Sequence, residues 1–196
     1  MQVTLVDSPV ANVANIARAL RSAGAELRLT KDAGEIARAG KIVLPGVGSF
    51  RAAMSWVTAN HIDSALRDAV SRGASLLGIC VGHQLLFESS DEMGVTAGLG
   101  LVKGAVRKLE STLPVPQIGW NRVAFRATPL FDGTGTFYFV NSYAASGVDG
   151  EVATATYGSP FTAAVQSGNV FGVQFHPEKS STAGLQVLRN FVEKIR

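Results

Sequence analysis

Three observations predict an α/β fold with a mostly parallel central sheet, helices on both of its faces and an antiparallel β-rich second half. Short apolar runs alternate with helical periodicities through the first half of the chain. The second half is a series of short β-rich stretches split by Gly, Pro and Asn. The chain has 196 residues, against roughly 100–200 per domain, and is 46% apolar, so it can bury a substantial core and is not a disordered protein. We expect a single domain over residues 1–196.

Taken in order, Val3-Thr4-Leu5-Val6 reads as a buried strand. Val13 to Arg21 reads as a helix, with Val13, Ile16, Ala17 and Leu20 on one face and a stop at Gly24. Glu26 to Leu29 alternates as a second strand, and Ile42-Val43-Leu44 is a third, ended by Pro45-Gly46. Phe50 to Ala59 and Ile62 to Arg72 are helical. Ser75 to Ile79 is an apolar strand running straight into Cys80 and a helix from Val81 to Ser89. Strands are then expected at Leu101–Val106, Arg122–Phe125, Thr136–Val140, Val152–Tyr157, Phe161–Gln166 and Val170–Phe175. Thr182 to Arg196 closes the chain as an amphipathic helix with Leu185, Leu188, Phe191, Val192 and Ile195.

Composition excludes several functions. The net charge of +3 comes from 18 Lys and Arg against 15 Asp and Glu, and the cations are scattered, with only Lys103, Arg107 and Lys108 near one another. That is no basic stripe, so no nucleic-acid partner is expected. Met1 to Val10 carries Asp7 and no basic segment, and no apolar run nears the ~18 residues of a span, so no membrane association is expected. The protein is expected to be soluble and cytoplasmic. A single cysteine cannot form an intramolecular disulfide. The 21 glycines and a charged fraction of 17%, against a usual ~25%, point to tight turns and extensive burial, a partner surface included.

That cysteine sits in Gly78-Ile79-Cys80-Val81-Gly82, between a strand and a helix. A strained strand-to-helix turn with flanking glycines thrusts a nucleophile outward, and the helix N-terminus favours its thiolate. Alone, Cys80 would read as a buried small hydrophobe. A nucleophile needs a base, and the chain has three histidines. His61 lies at a helix junction and reads as surface. His83, three residues after Cys80, has nothing to orient it. His176 ends an apolar strand in His176-Pro177-Glu178, where extended backbone aligns Glu178 with it as the orienting carboxylate. Oxyanion donors would come from the Val81 N–H and from the loop Gly46-Val47-Gly48, which has neither a dinucleotide fingerprint nor a Walker lysine.

The segments Gly78-Ile79-Cys80-Val81-Gly82-His83-Gln84-Leu85-Leu86 and Val173-Gln174-Phe175-His176-Pro177-Glu178 resemble those of class I, triad-type glutamine amidotransferases. Pro45-Gly46-Val47-Gly48-Ser49-Phe50, Pro116 to Asn121 and Tyr138 to Tyr143 are similar to one branch, the glutaminase subunits of imidazole glycerol phosphate synthase. The resemblance runs from Val3 to the closing helix. It implies Cys80 as nucleophile, His176 as acid and base, and Glu178 as its orienter. Gln84, Glu92, Ser142 and Tyr143 would hold the amino-acid end of L-glutamine. Ammonia from a cysteine thioester cycle would pass to a (β/α)8-barrel cyclase subunit in a heterodimer making imidazole glycerol phosphate and AICAR. No metal or organic cofactor is implied, and the oxyanion loop would align only when the partner binds. Asn12, Gln117 and Trp120 would lie at the partner interface.

The chain departs from the family pattern in places. The usual Asp-Tyr-Gly-x-Gly-Asn turn reads Asp7-Ser8-Pro9-Val10-Ala11-Asn12 here, keeping Asn12 but no glycine. His83 stands where methionine is usual, and Gln117 and Asn141 stand where histidine is common. The triad residues alone would equally suit an amidotransferase serving another acceptor. A non-catalytic paralogue would more often have lost Cys80 or His176.

Overall fold

The computed structural model describes residues 1–9, 11–131 and 135–195. Val10 of the first turn and the expected helix end at Arg196 lie outside the described residues. The first half comprises β1 (Gln2–Val6), α1 (Val13–Ser22), β2 (Glu26–Thr30), α2 (Ala33–Arg38), β3 (Lys41–Gly46), α3 (Phe50–Ala59), α4 (Ile62–Ser71), β4 (Ser75–Cys80) and α5 (Val81–Leu85). The second comprises β5 (Ser89–Ser90), β6 (Thr96–Ala97), β7 (Ala105–Lys108), β8 (Gln117–Phe125), β9 (Gly135–Asn141) and β10 (Tyr143–Ala144). These are followed by β11 (Glu151–Tyr157), β12 (Ser159–Ser167), β13 (Val170–Val173), a 3-10 turn at Pro177–Lys179 and α6 (Ser181–Glu193).

A nine-stranded sheet runs in the order β2-β1-β3-β4-β13-β12-β11-β8-β9. From β2 to β13 the strands are parallel, and from β13 to β9 they are antiparallel. The central strands β3, β4 and β13 are buried at every residue, the pattern of a sheet covered on both faces. Helix α1 packs on α6, while α4 packs on α2 and α3, and α3 reaches α5. Strand β8 alternates between buried and open residues, so one of its faces is uncovered. The short strands β10, β7, β5 and β6 form a second sheet.

Beneath the antiparallel half, Phe125, Phe131, Phe137, Phe139, Phe161 and Phe175 pack ring on ring, with Phe137 and Phe175 centroids 4.1 Å apart. At the start of β3, in the parallel half, the buried Lys41 Nζ donates to the carbonyls of Phe191, Val192 and Ile195 at 2.9, 2.8 and 2.6 Å. Burial pulls its pKa below the usual range. The carbonyls of the α6 C-terminus offset that cost by accepting its hydrogen bonds and by the sign of the helix dipole.

Several elements differ from expectation for local reasons. Helix α2 was not anticipated because six residues are too few for a periodicity; its one cue is the cap, where Asp32 accepts from Glu35 N at 2.8 Å. Helix α5 stops at Leu85 instead of Ser89, because the carbonyls of Leu85, Leu86 and Phe87 accept from the 99–102 backbone. Those same bonds turn residues 101–104 away from strand geometry, so the expected strand Leu101–Val106 begins only at Ala105. Strand β8 starts five residues earlier than expected, at Gln117, in register with Asn141 of β9.

The tightest backbone approach lies between β3 and α5. A Cβ at Gly82 would stand 2.0 Å from Leu44 O, and one at Gly46 would stand 2.7 Å from Gly82 N. Gly82→Ala is therefore expected to cost about 1–3 kcal/mol of stability, read as a lower Tm. Gly40→Ala, where a Cβ meets nothing within 4 Å, is expected to leave Tm unchanged or slightly raised.

Candidate active site

Parallel strands in register end at one edge of the sheet, and the chemistry-bearing residues gather there. Gly46 of β3 pairs with Cys80 of β4, and Val173 of β13 pairs with Ile79. Cys80 itself holds φ +55° and ψ −112°, a conformation unfavourable for a side-chain-bearing residue, at the junction of β4 and α5. Its Sγ lies 3.9 Å from Val140 O and is almost wholly buried.

His176 is placed by its backbone. Its N–H donates to Tyr138 O at 2.9 Å, and its carbonyl accepts from Ser180 Oγ at 2.6 Å. Ser180 Oγ in turn accepts from Tyr138 N at 2.9 Å, so one buried hydroxyl ties the His-Pro-Glu turn to β9. The preceding residue, Phe175, anchors that strand end in the aromatic cluster. His176 Nδ1 lies 2.9 Å from Glu178 Oε1, whose side chain is 1% exposed. With Nδ1–H donating to Glu178, Nε2 is left to serve Cys80. Burial opposes charge on the ring, but hydrogen bonds and charge from Cys80 and Glu178 overcome it, and the His176 pKa is pushed up to about 10.

A cleft of about 320 Å³ opens over Cys80 and His176. Val47, Gly48, Val81, Gln84, Glu92, Ser142 and Tyr143 are among the residues that line it. Gln84 Nε2 donates to Tyr143 O at 2.9 Å and to Gln174 Oε1 at 3.0 Å. Glu92 Oε2 accepts from Phe50 N at 2.6 Å, at the start of α3. Gly46 does not line the cleft; it is buried against the Val81–Gly82 backbone. Such a cleft offers a buried sulfur, an oriented imidazole, a carboxylate able to meet a cation and the first-turn backbone of a helix able to meet a developing oxyanion.

The expected interface residues are not all in one environment. Trp120 is 55% exposed and Ile118 is 64% exposed, both on the open face of β8. Trp120 packs edge-on to Tyr138 at 6.0 Å. Asn12 is exposed and caps α1, accepting from Asn15 N at 3.4 Å. Gln117 is 3% exposed and faces inward beside Asn141, so its side chain is not part of that open face. Sequence reasoning missed Ser180, Lys179 and Pro116; Lys179 lines the cleft with its Nζ 5.7 Å from the Tyr138 ring. Adjacency to His176-Pro177-Glu178 was the only cue for Ser180 and Lys179. Among the described residues no three metal-ligating side chains converge, and no helix is long and apolar enough to cross a membrane.

The family described as glutamine amidotransferase class-I matches residues 4–195. The chain is 46% identical to the imidazole glycerol phosphate synthase subunit HisH of Moorella thermoacetica, across 99% of this chain and 95% of the relative. It is 44% identical to the subunit of that name from Caulobacter vibrioides, across 97% of each. PurLQS from Thermotoga maritima superposes with a TM-score of 0.76 over 100% of this chain and 99% of that one, at 22% identity, a likeness of fold alone. The chain therefore belongs to the class I glutamine amidotransferases and, within them, to the family of imidazole glycerol phosphate synthase HisH subunits.

Proposed function

We propose that this chain is one amidotransferase domain over residues 1–196 acting as the glutaminase subunit of imidazole glycerol phosphate synthase. It hydrolyses L-glutamine and delivers ammonia to a (β/α)8-barrel cyclase subunit, in a cytoplasmic heterodimer that serves histidine biosynthesis. The observation that carries the reading is the meeting of Cys80 with the His176–Glu178 pair over a cleft whose wall bears Glu92 and Gln84.

In this reading His176 holds at Nε2 the proton given up by the Cys80 thiol, as an imidazolium beside the thiolate, and Sγ attacks the glutamine carboxamide carbon. The oxygen that gains charge meets the Val81 N–H and the loop at Val47-Gly48; Gly46, buried beneath it, sets the close approach of that loop to α5. His176 returns the proton to the departing nitrogen, releasing ammonia and leaving a γ-glutamyl thioester. Water, deprotonated by His176, then releases glutamate. Glu92 receives the α-ammonium of the substrate, and Ser142 and Tyr143 face its carboxylate. Trp120 and Ile118, large apolar groups open to solvent on the face of β8, form the docking patch for the cyclase.

Glutamate release is expected to be slow alone and strongly stimulated by the cyclase with its ligand bound; equal rates with and without the partner would overturn the assignment. Cys80→Ala is expected to abolish glutamine-dependent synthesis while free ammonium still supports the cyclase. Glu178→Gln is expected to lower kcat by about 10²–10⁴-fold, the scale of losing an orienting carboxylate.

The raised His176 pKa also sets a stability slope. Its folded value of about 10 exceeds the ordinary 6.5, so its contribution is complete below pH 6.5 and is lost as pH rises toward 10. Urea unfolding of wild type and His176→Gln should therefore converge between those pH values. Trp120→Ala is expected to leave Tm unchanged and to weaken cyclase association by about 2 kcal/mol or more, measured by titration calorimetry.

A further inference from the structure

The turn that carries Glu92 is not held by burial. Met93 and Val95 are 71% and 82% exposed, and Met93 adopts φ +56°, an unfavourable conformation for a residue with a side chain. Its entry is anchored: Glu92 N donates to the buried Ser90 Oγ at 3.2 Å, and Asp91 N donates to Val106 O at 3.3 Å. Its exit is held locally by Gly94 N donating to Asp91 O at 3.1 Å and by the pairing of Thr96 with Ser90, and, from elsewhere in the fold, by one side chain. Arg51 Nη2 donates to Met93 O and, at 3.4 Å, to Gly94 O, while its Nε donates to Thr96 Oγ1 at 3.4 Å. Arg51 follows Phe50, whose N–H holds the Glu92 carboxylate. One turn of α3 thus grips both the carboxylate and the backbone behind it, directly after the loop at 46–49.

We propose that Arg51 is a positioning residue for glutamine: by clamping the 93–96 backbone it keeps the Glu92 carboxylate where it meets the substrate ammonium. The proposal rests on the reading of Glu92 as the ammonium acceptor. The planar guanidinium spans two carbonyls and a hydroxyl at once; a lysine at this position would present a single point. Without the clamp, an exposed turn with a left-handed methionine relaxes, and Glu92 spends part of its time away from the cleft. The chemical step at Cys80 does not involve Arg51, so the effect falls on substrate binding.

The test uses the complex with the cyclase and the variants Arg51→Ala, Arg51→Lys and Gly94→Ala. The last strains the turn from within, since Gly94 has φ +93° and a Cβ there would lie 2.9 Å from Arg51 Nη2. Arg51→Ala is expected to raise KM for glutamine about five- to tenfold with kcat within about twofold. Arg51→Lys should fall between it and wild type, and Gly94→Ala should reproduce the loss. Glutaramate, which is glutamine without its α-amino group, should keep the same Ki as a competitive inhibitor in every variant. An unchanged glutamine KM in both Arg51→Ala and Gly94→Ala, or a glutaramate Ki that rises in parallel, overturns the proposal. Glu92→Gln separates the two levels: if it leaves glutamine KM unaltered, the role of Glu92 is wrong. If it raises KM while the Arg51 variants do not, only the clamp is wrong.

Discussion

The left-handed turn at Cys80 is the constraint on which the rest of the site depends. A nucleophile lifted out of the sheet by that turn requires β4 to end there and α5 to begin at once. The first turn of α5 then lies against β3, close enough that only glycine fits at positions 46 and 82. Because the flanking strands are parallel and in register, their ends arrive at the same edge: β3 brings the Gly46–Gly48 loop and β13 brings His176. The site is thus a consequence of strand order, as in other open α/β sheets where the carboxyl edge receives the ligand.

What the parallel half does for Cys80, the antiparallel half does for His176. The aromatic cluster fixes Phe175, and the Ser180 hydroxyl bonds the turn to β9 through Tyr138. The same strand β9 presents Val140 and Asn141 to the cleft and sets Tyr138 edge-on to Trp120. Catalytic geometry and the exposed apolar patch therefore share two strands. In the reading proposed here, a partner seated on Trp120 presses on the strands that orient the imidazole, a short mechanical route from docking to activity.

Residues whose roles follow from local spacing were legible in the sequence. The strand into Cys80, the turn and the start of the helix at Val81, and the two-residue step from His176 to Glu178, are local patterns and stand in the structure where they were expected. Residues whose roles come from distant contacts were not. Ser180, Lys41 and Arg51 are ordinary surface-type residues in one dimension; each acts on backbone carbonyls or amides about 40 to 155 residues away. Glu92 and Gln84 were legible only through family resemblance, since neither has a distinctive local pattern. Gln117, expected at the partner interface, shows how strand length sets which way a residue faces. Extending β8 back to Gln117 puts it on the inward set with Val123, while Ile118 and Trp120 fall on the outward one.

Two histidines lie within reach of Cys80 in the sequence or the fold, and their surroundings decide which can move protons. His83 is fully buried, with an edge contact to Phe87 at 5.2 Å and no hydrogen-bond partner at either ring nitrogen among the described residues. Burial drives its pKa down to about 3, which favours the neutral ring, and no neighbour fixes its tautomer among the described residues. It fits only because Gly172 lacks a side chain; a Cβ there would stand 2.3 Å from its Nδ1. Its linkage runs toward acid: below pH 6.5 the unfolded chain takes up a proton that the folded chain refuses, and stability falls. His176 is buried almost as deeply but has a carboxylate on one nitrogen and sulfur near the other, which reverses the sign of its shift. Burial alone makes a histidine inert filler; burial with Glu178 and Cys80 gives it an oriented ring that favours its charged form, as the proposed acid and base requires.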